Sequence, residues 1–170
     1  TPTATMAAIG QATKHGVIIK SGEALEKMGR VDTIAFDKTG TLTYGRLEVS
    51  DILSFEENLA EEELLTLTAS AEGRSEHPLG KAIVARAKEE KLQLAEAQNF
   101  RMTAGKGVAA QVSGRNLLCG NEKFLEENGV AIDGSIRSAL EKLRSEGKAS
   151  ILVAEGTQCI GVIALSDVVR

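Results

Sequence analysis

One short segment of the chain combines the residue types that phosphoryl transfer requires. Asp37 is followed directly by Lys38, Thr39 and Gly40, and the segment ends at Thr43. A carboxylate can attack phosphorus and form a covalent acyl phosphate, which splits one difficult reaction into two easier steps. A lysine cation, threonine hydroxyls and the backbone N–H groups of a glycine-containing turn suit the negative charge on a transferring phosphoryl group. We therefore interpret Asp37 as a nucleophile, with Lys38 and Thr39 as its catalytic neighbours.

The nucleophile must be held by a rigid structural element, and the residues before it are expected to form one. Residues 31–36 are rich in β-branched and apolar side chains, which predicts a buried strand of a parallel sheet. Asp37 would then lie at the carboxyl end of this strand, where open α/β sheets bind their ligands. A short extended run over 16–22 and a helix over 21–28, stopped by Gly29, are predicted before the strand.

The chain after Gly45 is predicted to form an α+β domain in which two pairs of helices pack on an antiparallel sheet. Asn58 and Glu61 are expected to cap the first helix, and Pro78 is expected in the first turn of the second. The expected elements, in chain order, are a strand over 47–55, a helix through 71, a helix from 78, strands between 99 and 121 that include the hairpin 108–112 with 117–119, helices over 122–127 and 136–145, and a hairpin of 149–154 with 159–165.

The segment from Asp37 to Thr43 reads D-K-T-G-T-L-T, which matches in full the phosphorylation signature D-K-T-G-T-[LIVM]-T of the P-type ATPases. The chain therefore resembles this family of ion pumps. The resemblance implies that Asp37 attacks the γ-phosphate of ATP and becomes an aspartyl phosphate. It also implies a Mg²⁺ ion held by Asp37 and by the backbone carbonyl of Thr39.

The resemblance also implies how the chain is divided. Residues 1–45 would be the first part of a haloacid-dehalogenase-like α/β phosphorylation domain, residues 46–166 the nucleotide-binding domain, and residues 167–170 the return to the phosphorylation domain. No T-G-E or G-D-G-x-N-D motif occurs in the chain, so we expect this piece to be soluble and to bind nucleotide but to be catalytically incomplete. In the full-length protein its partners would be the actuator and transmembrane domains of the same polypeptide, at the cytosolic face of a membrane.

A second motif opens a predicted helix and contains His77. Residues 75–79 read S-E-H-P-L, and a lone histidine at the start of a helix is usually a polar cap. Within the family already named, however, this string resembles the signature of the heavy-metal-transporting class, in which the histidine orients the adenine of ATP. The resemblance makes His77 a nucleotide-binding residue and Glu72, about one turn earlier, a second contact near the adenine.

Two glycine-containing segments complete the predicted nucleotide site. Gly105 and Gly107 flank a lysine, and Gly120 precedes Asn121. Taken alone, a G-x-G string marks a tight turn between strands, and an asparagine before a helix is a good cap. Both segments resemble parts of the heavy-metal pumps' nucleotide site, where missing side chains let the nucleotide approach the backbone. The four residues are therefore predicted to bind nucleotide, and the capping interpretation of Asn121 stays open beside it.

Composition limits the partners and the lining of the predicted site. The net charge is -4 with acidic and basic residues interspersed, which leaves no basic stripe for a nucleic acid. Aromatic residues make up 3% of the chain, so an adenine pocket would be lined by aliphatic and small side chains. Cys119 and Cys159 each lie in an apolar run, and two buried, reduced thiols are expected.

The transported metal and two competing functions stay open. The resemblance implies a heavy-metal cation bound elsewhere in the full-length protein, and the segment 26–37 favours zinc or cadmium, with copper as the alternative. One competing function is a soluble aspartate-dependent phosphatase with a cap domain. Such enzymes commonly carry a second aspartate two residues after the nucleophile, and Thr39 cannot act as that acid or base at neutral pH. The other is a nucleotide-binding module without chemistry.

Overall fold

The computed structural model describes residues 2–37 and 41–169. The chain divides into two compact units, and the division falls after residue 37. The first unit contains two helices, α1 (Pro2–Lys14) and α2 (Gly22–Met28). The helix α2 was predicted, and the Ser21 hydroxyl caps it by accepting a hydrogen bond from the Ala24 N–H at 3.1 Å. The helix α1 was not predicted, since its small and apolar residues form no clear amphipathic stripe.

The predicted buried strand over 31–36 is wrong for this structure. Residues 31–37 have no regular secondary structure, and Val31, Ile34 and Phe36 are 56%, 70% and 64% exposed. A strand of a parallel sheet is stable only when other strands pair with it and helices cover its faces. Among the described residues of the first unit no strand is present that could pair with it. Asp37 is therefore exposed on irregular backbone.

The second unit is built on a six-stranded sheet in which every neighbouring pair of strands is antiparallel. The strands are β1 (Thr43–Ser54), β2 (Gln98–Thr103), β3 (Gly107–Val112), β4 (Arg115–Gly120), β5 (Ala149–Glu155) and β6 (Gln158–Val169). Their order across the sheet is β1-β6-β5-β4-β3-β2. The strand that enters the unit therefore pairs with the strand that leaves it, and the Thr43 hydroxyl donates a 2.5 Å hydrogen bond to the Asp167 carboxylate between them.

Two pairs of helices cover the two faces of this sheet. They are α3 (Glu61–Ala71), α4 (Pro78–Glu89), α5 (Glu122–Glu127) and α6 (Gly134–Ser145), and a short 3-10 turn (Glu72–Arg74) follows α3. Alternate residues of β5 belong to different cores: Val153 packs with α3 and α4, whereas Leu152 packs with α5 and α6. Side chains of a strand point alternately to the two faces of its sheet. The predicted α+β fold with two helical pairs is thereby confirmed.

One local prediction in this unit is wrong. Asn58 was expected to cap α3, but the cap position is Ala60, which makes no side-chain hydrogen bond. Three glutamates, residues 61 to 63, occupy the first turn instead, and negative charge there favours the positive end of the helix dipole. Within the described part of the chain, no helix is both long enough and apolar enough to span a bilayer.

Candidate nucleotide-binding site

A cleft of about 150 Å³ lies in the second unit, where the β2–β3 turn, the end of β4 and the start of α4 come together. Every residue that was predicted to contact nucleotide lines this cleft: Glu72, His77, Gly105, Gly107, Gly120 and Asn121. These residues come from three separate motifs spread over about fifty positions of the sequence. The fold therefore brings the three motifs into one site, and the binding role of each residue stays a prediction.

Most of the remaining cleft wall is apolar. Leu79, Met102, Val108 and Ile151 contribute aliphatic or thioether side chains, and no Phe, Tyr or Trp side chain is among the described residues that line the cleft. Met102, on the edge strand β2, is 57% exposed. This lining agrees with the expectation of a pocket formed mainly by aliphatic and small residues, in which dispersion contacts would hold a planar ring.

His77 is the N-cap residue of α4, and Pro78 occupies the first helical position after it. The His77 Nδ1 atom accepts a hydrogen bond from the Leu79 backbone N–H at 3.3 Å. In the neutral imidazole the proton then belongs to Nε2, which is a donor. The capping interpretation is confirmed, and it leaves Nε2 available for a ligand because only Nδ1 is used by the cap.

Glu72 presents a buried carboxyl group to the same cleft. The residue is 4% exposed, and burial raises the pKa of its carboxyl group, while a hydrogen bond with the Ser75 hydroxyl opposes that rise. The backbone of α4 is in close contact with it, because a Cβ atom built on Gly80 would lie 2.4 Å from the Glu72 Oε2 atom. Sequence reasoning identified Glu72 and the segment that contains Ser75, but it did not predict that the backbone of Gly80 lies against the Glu72 carboxyl group.

Glycine is required at different positions of the cleft for different physical reasons. Gly105 lies in the turn between β2 and β3 with a φ of +70°, a backbone conformation that favours glycine. Gly107 and Gly120 face each other across β3 and β4. A Cβ atom on Gly107 would lie 2.3 Å from the Cys119 carbonyl oxygen, and one on Gly120 would lie 2.8 Å from the Phe124 ring. These two glycines are thus required by packing, whether or not a nucleotide approaches them.

Asn121 joins the glycine turn to α5. Its Oδ1 atom accepts a 2.9 Å hydrogen bond from the Phe124 N–H, and its Nδ2 atom donates a 3.1 Å bond to the Gly105 carbonyl. Its backbone N–H also donates to the Lys106 carbonyl at 2.9 Å. The Lys106 ammonium group forms a 2.5 Å ion pair with Glu127, which lowers the pKa of that carboxyl group. The helix-cap interpretation of Asn121 is confirmed, and the same side chain holds the turn.

The predicted catalytic segment lies mostly outside the described residues. Asp37 belongs to the first unit and is exposed, whereas Lys38 and Thr39 are not among the residues that the structure describes. Mg²⁺ binds carboxylate and carbonyl oxygens and commonly uses only one or two protein carboxylates together with substrate phosphates. An exposed Asp37 fits that role as one ligand. Over residues 2–37 and 41–169, no cluster of three His, Cys, Asp or Glu side chains could by itself hold a metal ion.

Both cysteines are free and buried, as predicted. Burial raises the pKa of the Cys159 thiol to about 11 and raises that of Cys119 well above its usual range, with a smaller contribution from the nearby Glu72 charge. Cys119 forms part of the cleft wall. A thiol that stays protonated is a poor nucleophile and a poor metal ligand. Neither cysteine is therefore a candidate for the nucleophile or for a metal ligand.

The comparison with protein families agrees with the fold. The family model described as haloacid dehalogenase-like hydrolase matches residues 31–170. The chain belongs to the haloacid dehalogenase-like hydrolase family.

Individual relatives are similar to this chain over nearly its whole length. A protein named "Probable copper-exporting P-type ATPase" from Archaeoglobus fulgidus is 42% identical over 170 residues, which is 100% of this chain and 20% of the relative. A crystal structure of a zinc-transporting PIB-type ATPase in the E2.Pi state matches with a TM-score of 0.80 and 37% identity, over 99% of this chain and 27% of that one. The catalytic domain of the CPx-ATPase CopB-B, described for its conformational changes upon nucleotide binding, matches with a TM-score of 0.66 and 28% identity, over 95% of this chain and 54% of that one.

The chain is therefore similar to one region of these longer metal-transporting ATPases. It spans about a fifth of the length of the copper-exporting relative, to which it is 42% identical.

Proposed function

We propose that the chain binds ATP in the cleft of the second unit and receives the γ-phosphoryl group on Asp37, as the ATP-handling region of a heavy-metal-exporting pump. The observation that carries the proposal is the convergence of Glu72, His77 and the two glycine segments on one cleft. Strands and helices separate these three motifs along the chain, and yet all three line one cavity. We take this arrangement as evidence that the motifs serve one common role.

Each cleft residue has a distinct task in this proposal. The His77 Nε2–H group, which the helix cap does not use, would donate a hydrogen bond to a ring nitrogen of adenine. The Glu72 carboxyl group would accept from the exocyclic amino group. The apolar side chains of Leu79 and Met102 would cover the faces of the ring, and the Gly105 turn would leave its backbone open to the ribose and phosphates.

The phosphorylation half of the proposal rests on the D-K-T-G-T-L-T segment. Asp37 would be the nucleophile, and the Lys38 cation would stabilise charge on the phosphoryl oxygens. A Mg²⁺ ion, held by Asp37 and the Thr39 carbonyl, would supply electrostatic stabilisation of the transferred group. We assign residues 1–45 to the phosphorylation domain, 46–166 to the nucleotide-binding domain and 167–170 to the return segment. The actuator and transmembrane domains of the longer polypeptide would be its partners, at the cytosolic face of a membrane.

The transported ion is proposed as a thiophilic d-block cation. The relatives named above include both a copper exporter and a zinc transporter, so zinc or cadmium and, alternatively, copper are the candidates. Metal-stimulated ATPase activity of the full-length pump in vesicles distinguishes them. Stimulation by Zn²⁺ or Cd²⁺ but not by Cu⁺ supports the first choice, and the reverse result supports copper.

Replacement of His77 by alanine tests the nucleotide site. We expect the dissociation constant for ATP, measured by isothermal titration calorimetry, to rise roughly fivefold to tenfold, since one hydrogen bond is worth about 1 kcal/mol. His15→Ala is the matched control, because His15 is exposed in the first unit. Equal affinities of the His77→Ala and wild-type chains would contradict the assignment.

A soluble phosphatase is the second candidate, because the family model that matches the chain is that of a hydrolase family. Steady release of phosphate from p-nitrophenyl phosphate by the isolated chain, abolished by Asp37→Asn, would favour it. Trapping of a stable acyl phosphate at Asp37 in the full-length protein would favour the pump.

A further inference from the structure

Lys106 carries the one lysine or arginine side chain among the described residues that line the cleft. It lies between Gly105 and Gly107, at the end of the turn that joins β2 to β3. The acidic side chain that lines the same cleft is that of Glu72. A nucleoside triphosphate carries several negative charges, and a lysine ammonium group is a common partner for phosphate oxygens. Lys106 is therefore the side chain of this cleft whose charge suits the phosphates.

Hydrogen bonds on both sides hold the backbone of Lys106. Its N–H group donates to the Thr103 carbonyl at 3.0 Å, and its carbonyl oxygen accepts from the Asn121 N–H at 2.9 Å. The neighbouring Gly105 carbonyl accepts a 3.1 Å hydrogen bond from the Asn121 Nδ2 atom. The lysine side chain beyond this backbone is long and flexible. The base of the side chain is therefore fixed beside the cleft, whereas its ammonium group can change partners.

The ammonium group of Lys106 is paired with a carboxylate outside the cleft. The Lys106 Nζ atom lies 2.5 Å from the Glu127 Oε2 atom. Glu127 is the last residue of α5 and is not among the described residues that line the cleft. The two side chains are 33% and 43% exposed. An ion pair with this exposure contributes little free energy, because water screens the charges and both side chains lose freedom. A bound phosphate can therefore replace Glu127 as the partner of Lys106 at little cost.

We propose that Lys106 is the phosphate-binding cation of the cleft and that Glu127 competes with the nucleotide for its ammonium group. This inference rests on the proposed function, which places the ribose and phosphates of ATP at the Gly105 turn. In the free chain the Glu127 carboxylate neutralises the ammonium group. When the nucleotide binds, the ammonium group exchanges this carboxylate for a phosphate oxygen. Glu127 therefore lowers the affinity for ATP, and its removal raises that affinity.

The test is calorimetric titration of the whole chain with ATP at several salt concentrations. For Lys106→Met we expect the dissociation constant for ATP to rise roughly threefold to tenfold, since a charged hydrogen bond to phosphate is lost but the ion pair that it replaces is lost too. The affinity of this variant should also fall less than that of the wild type between about 0.05 M and about 0.5 M NaCl, because salt screens exposed charges. For Glu127→Gln we expect the dissociation constant for ATP to fall roughly twofold to fivefold, the effect of one exposed ion pair that no longer has to be broken. Circular dichroism verifies that the variants are folded.

Lys123→Met and Glu126→Gln are the matched controls. Both residues belong to α5, as Glu127 does, and neither is among the described residues that line the cleft. Each control makes the same change of charge as its test variant. The Glu126 carboxylate pairs with Arg137 at 2.6 Å, so Glu126→Gln also removes an exposed ion pair. Both controls are expected to change the dissociation constant for ATP by less than about twofold, because salt screens exposed charges that do not contact the nucleotide.

A double variant separates competition for Lys106 from direct repulsion between Glu127 and the phosphates. In the Lys106→Met background, Glu127→Gln is expected to change ATP affinity no more than Glu126→Gln does, because the competition requires the ammonium group. An equal gain of affinity from Glu127→Gln in both backgrounds overturns the competition and leaves repulsion as the cause.

The outcomes also separate this inference from the proposed function. A wild-type chain that binds no ATP refutes the proposed function itself, and this inference with it. A wild-type chain that binds ATP, while Lys106→Met keeps the same affinity and the same salt dependence, overturns only the role of Lys106. An ATP affinity of Glu127→Gln that is no higher than that of Glu126→Gln overturns the competition.

Discussion

Replacement of Gly107 by alanine tests whether the facing glycines of β3 and β4 are required for packing. The added Cβ atom would lie 2.3 Å from the Cys119 carbonyl oxygen and 2.7 Å from the Gly120 Cα atom. Both are backbone atoms, so the strands must move apart, since no side chain can rotate away to relieve the contact. Overpacking of this kind costs about 1–3 kcal/mol. For a domain of this size that loss lowers Tm by roughly 2–12 °C.

The assay is thermal unfolding followed by circular dichroism, with and without ATP. Gly134→Ala is the control, because a Cβ atom there has nothing within 4 Å and the residue begins α6. Alanine is a better helix former than glycine, so the Tm of this variant is expected to be unchanged or slightly higher.

Two results would decide between packing and nucleotide access as the reason for Gly107. A lower Tm of Gly107→Ala without ATP supports packing, because no ligand is then present. An unchanged Tm, equal to that of Gly134→Ala, together with weaker ATP binding would refute the packing argument and leave access as the reason.

Two further predictions concern buried titratable groups. Burial raises the pKa of Glu72, so its contribution to stability is complete below the unfolded-state pKa and is lost as the pH rises through the folded-state pKa. In urea unfolding, the free energy of unfolding of Glu72→Gln minus that of the wild type should therefore be larger at pH 8 than at pH 4. For the exposed Glu76→Gln this difference should not change with pH. If the difference for Glu72→Gln is also the same at both pH values, burial is not the cause. Cys119, which is fully buried and has a raised pKa, should not react with a disulfide reagent at pH 8 until the chain unfolds, and rapid labelling of the native chain would contradict this.

Much of the second unit could be predicted because its signals are local. The hairpin of β3 and β4 follows from alternating apolar residues on both sides of a Ser113-Gly114 turn, and both of these residues have positive φ. The start of α4 follows from Pro78, whose fixed φ suits a first helical position. The cap of α3 could not be predicted in the same way, because Ala60 holds that position without any side-chain hydrogen bond.

The failed strand over 31–36 shows the limit of local patterns. Apolar, β-branched residues indicate that a segment suits the interior of a sheet, but a strand forms only when neighbours supply its hydrogen bonds. The first unit supplies none among its described residues. The residue types at Ile34 and Phe36 therefore indicate only that the segment suits a sheet interior. Whether a strand forms depends on neighbouring strands, which the local pattern does not reveal.

The candidate site was predicted in part for a similar reason. The motifs that contain His77 and Asn121 could be found by resemblance, and their capping roles follow from their positions before helices. Gly80 matters through the contact of its backbone with the Glu72 carboxyl group in three dimensions. A glycine near a helix start carries no sequence signal for such a contact, since it is also an ordinary turn residue.

The pairing of β1 with β6 has a practical consequence for the unit that holds the cleft. Thr43 and Val169 are partners in the register of these strands, so the first and last strands of the unit place these two residues side by side. Ends that lie this close make the unit suitable for excision, for transplantation into another host protein, or for joining the ends and opening the chain elsewhere.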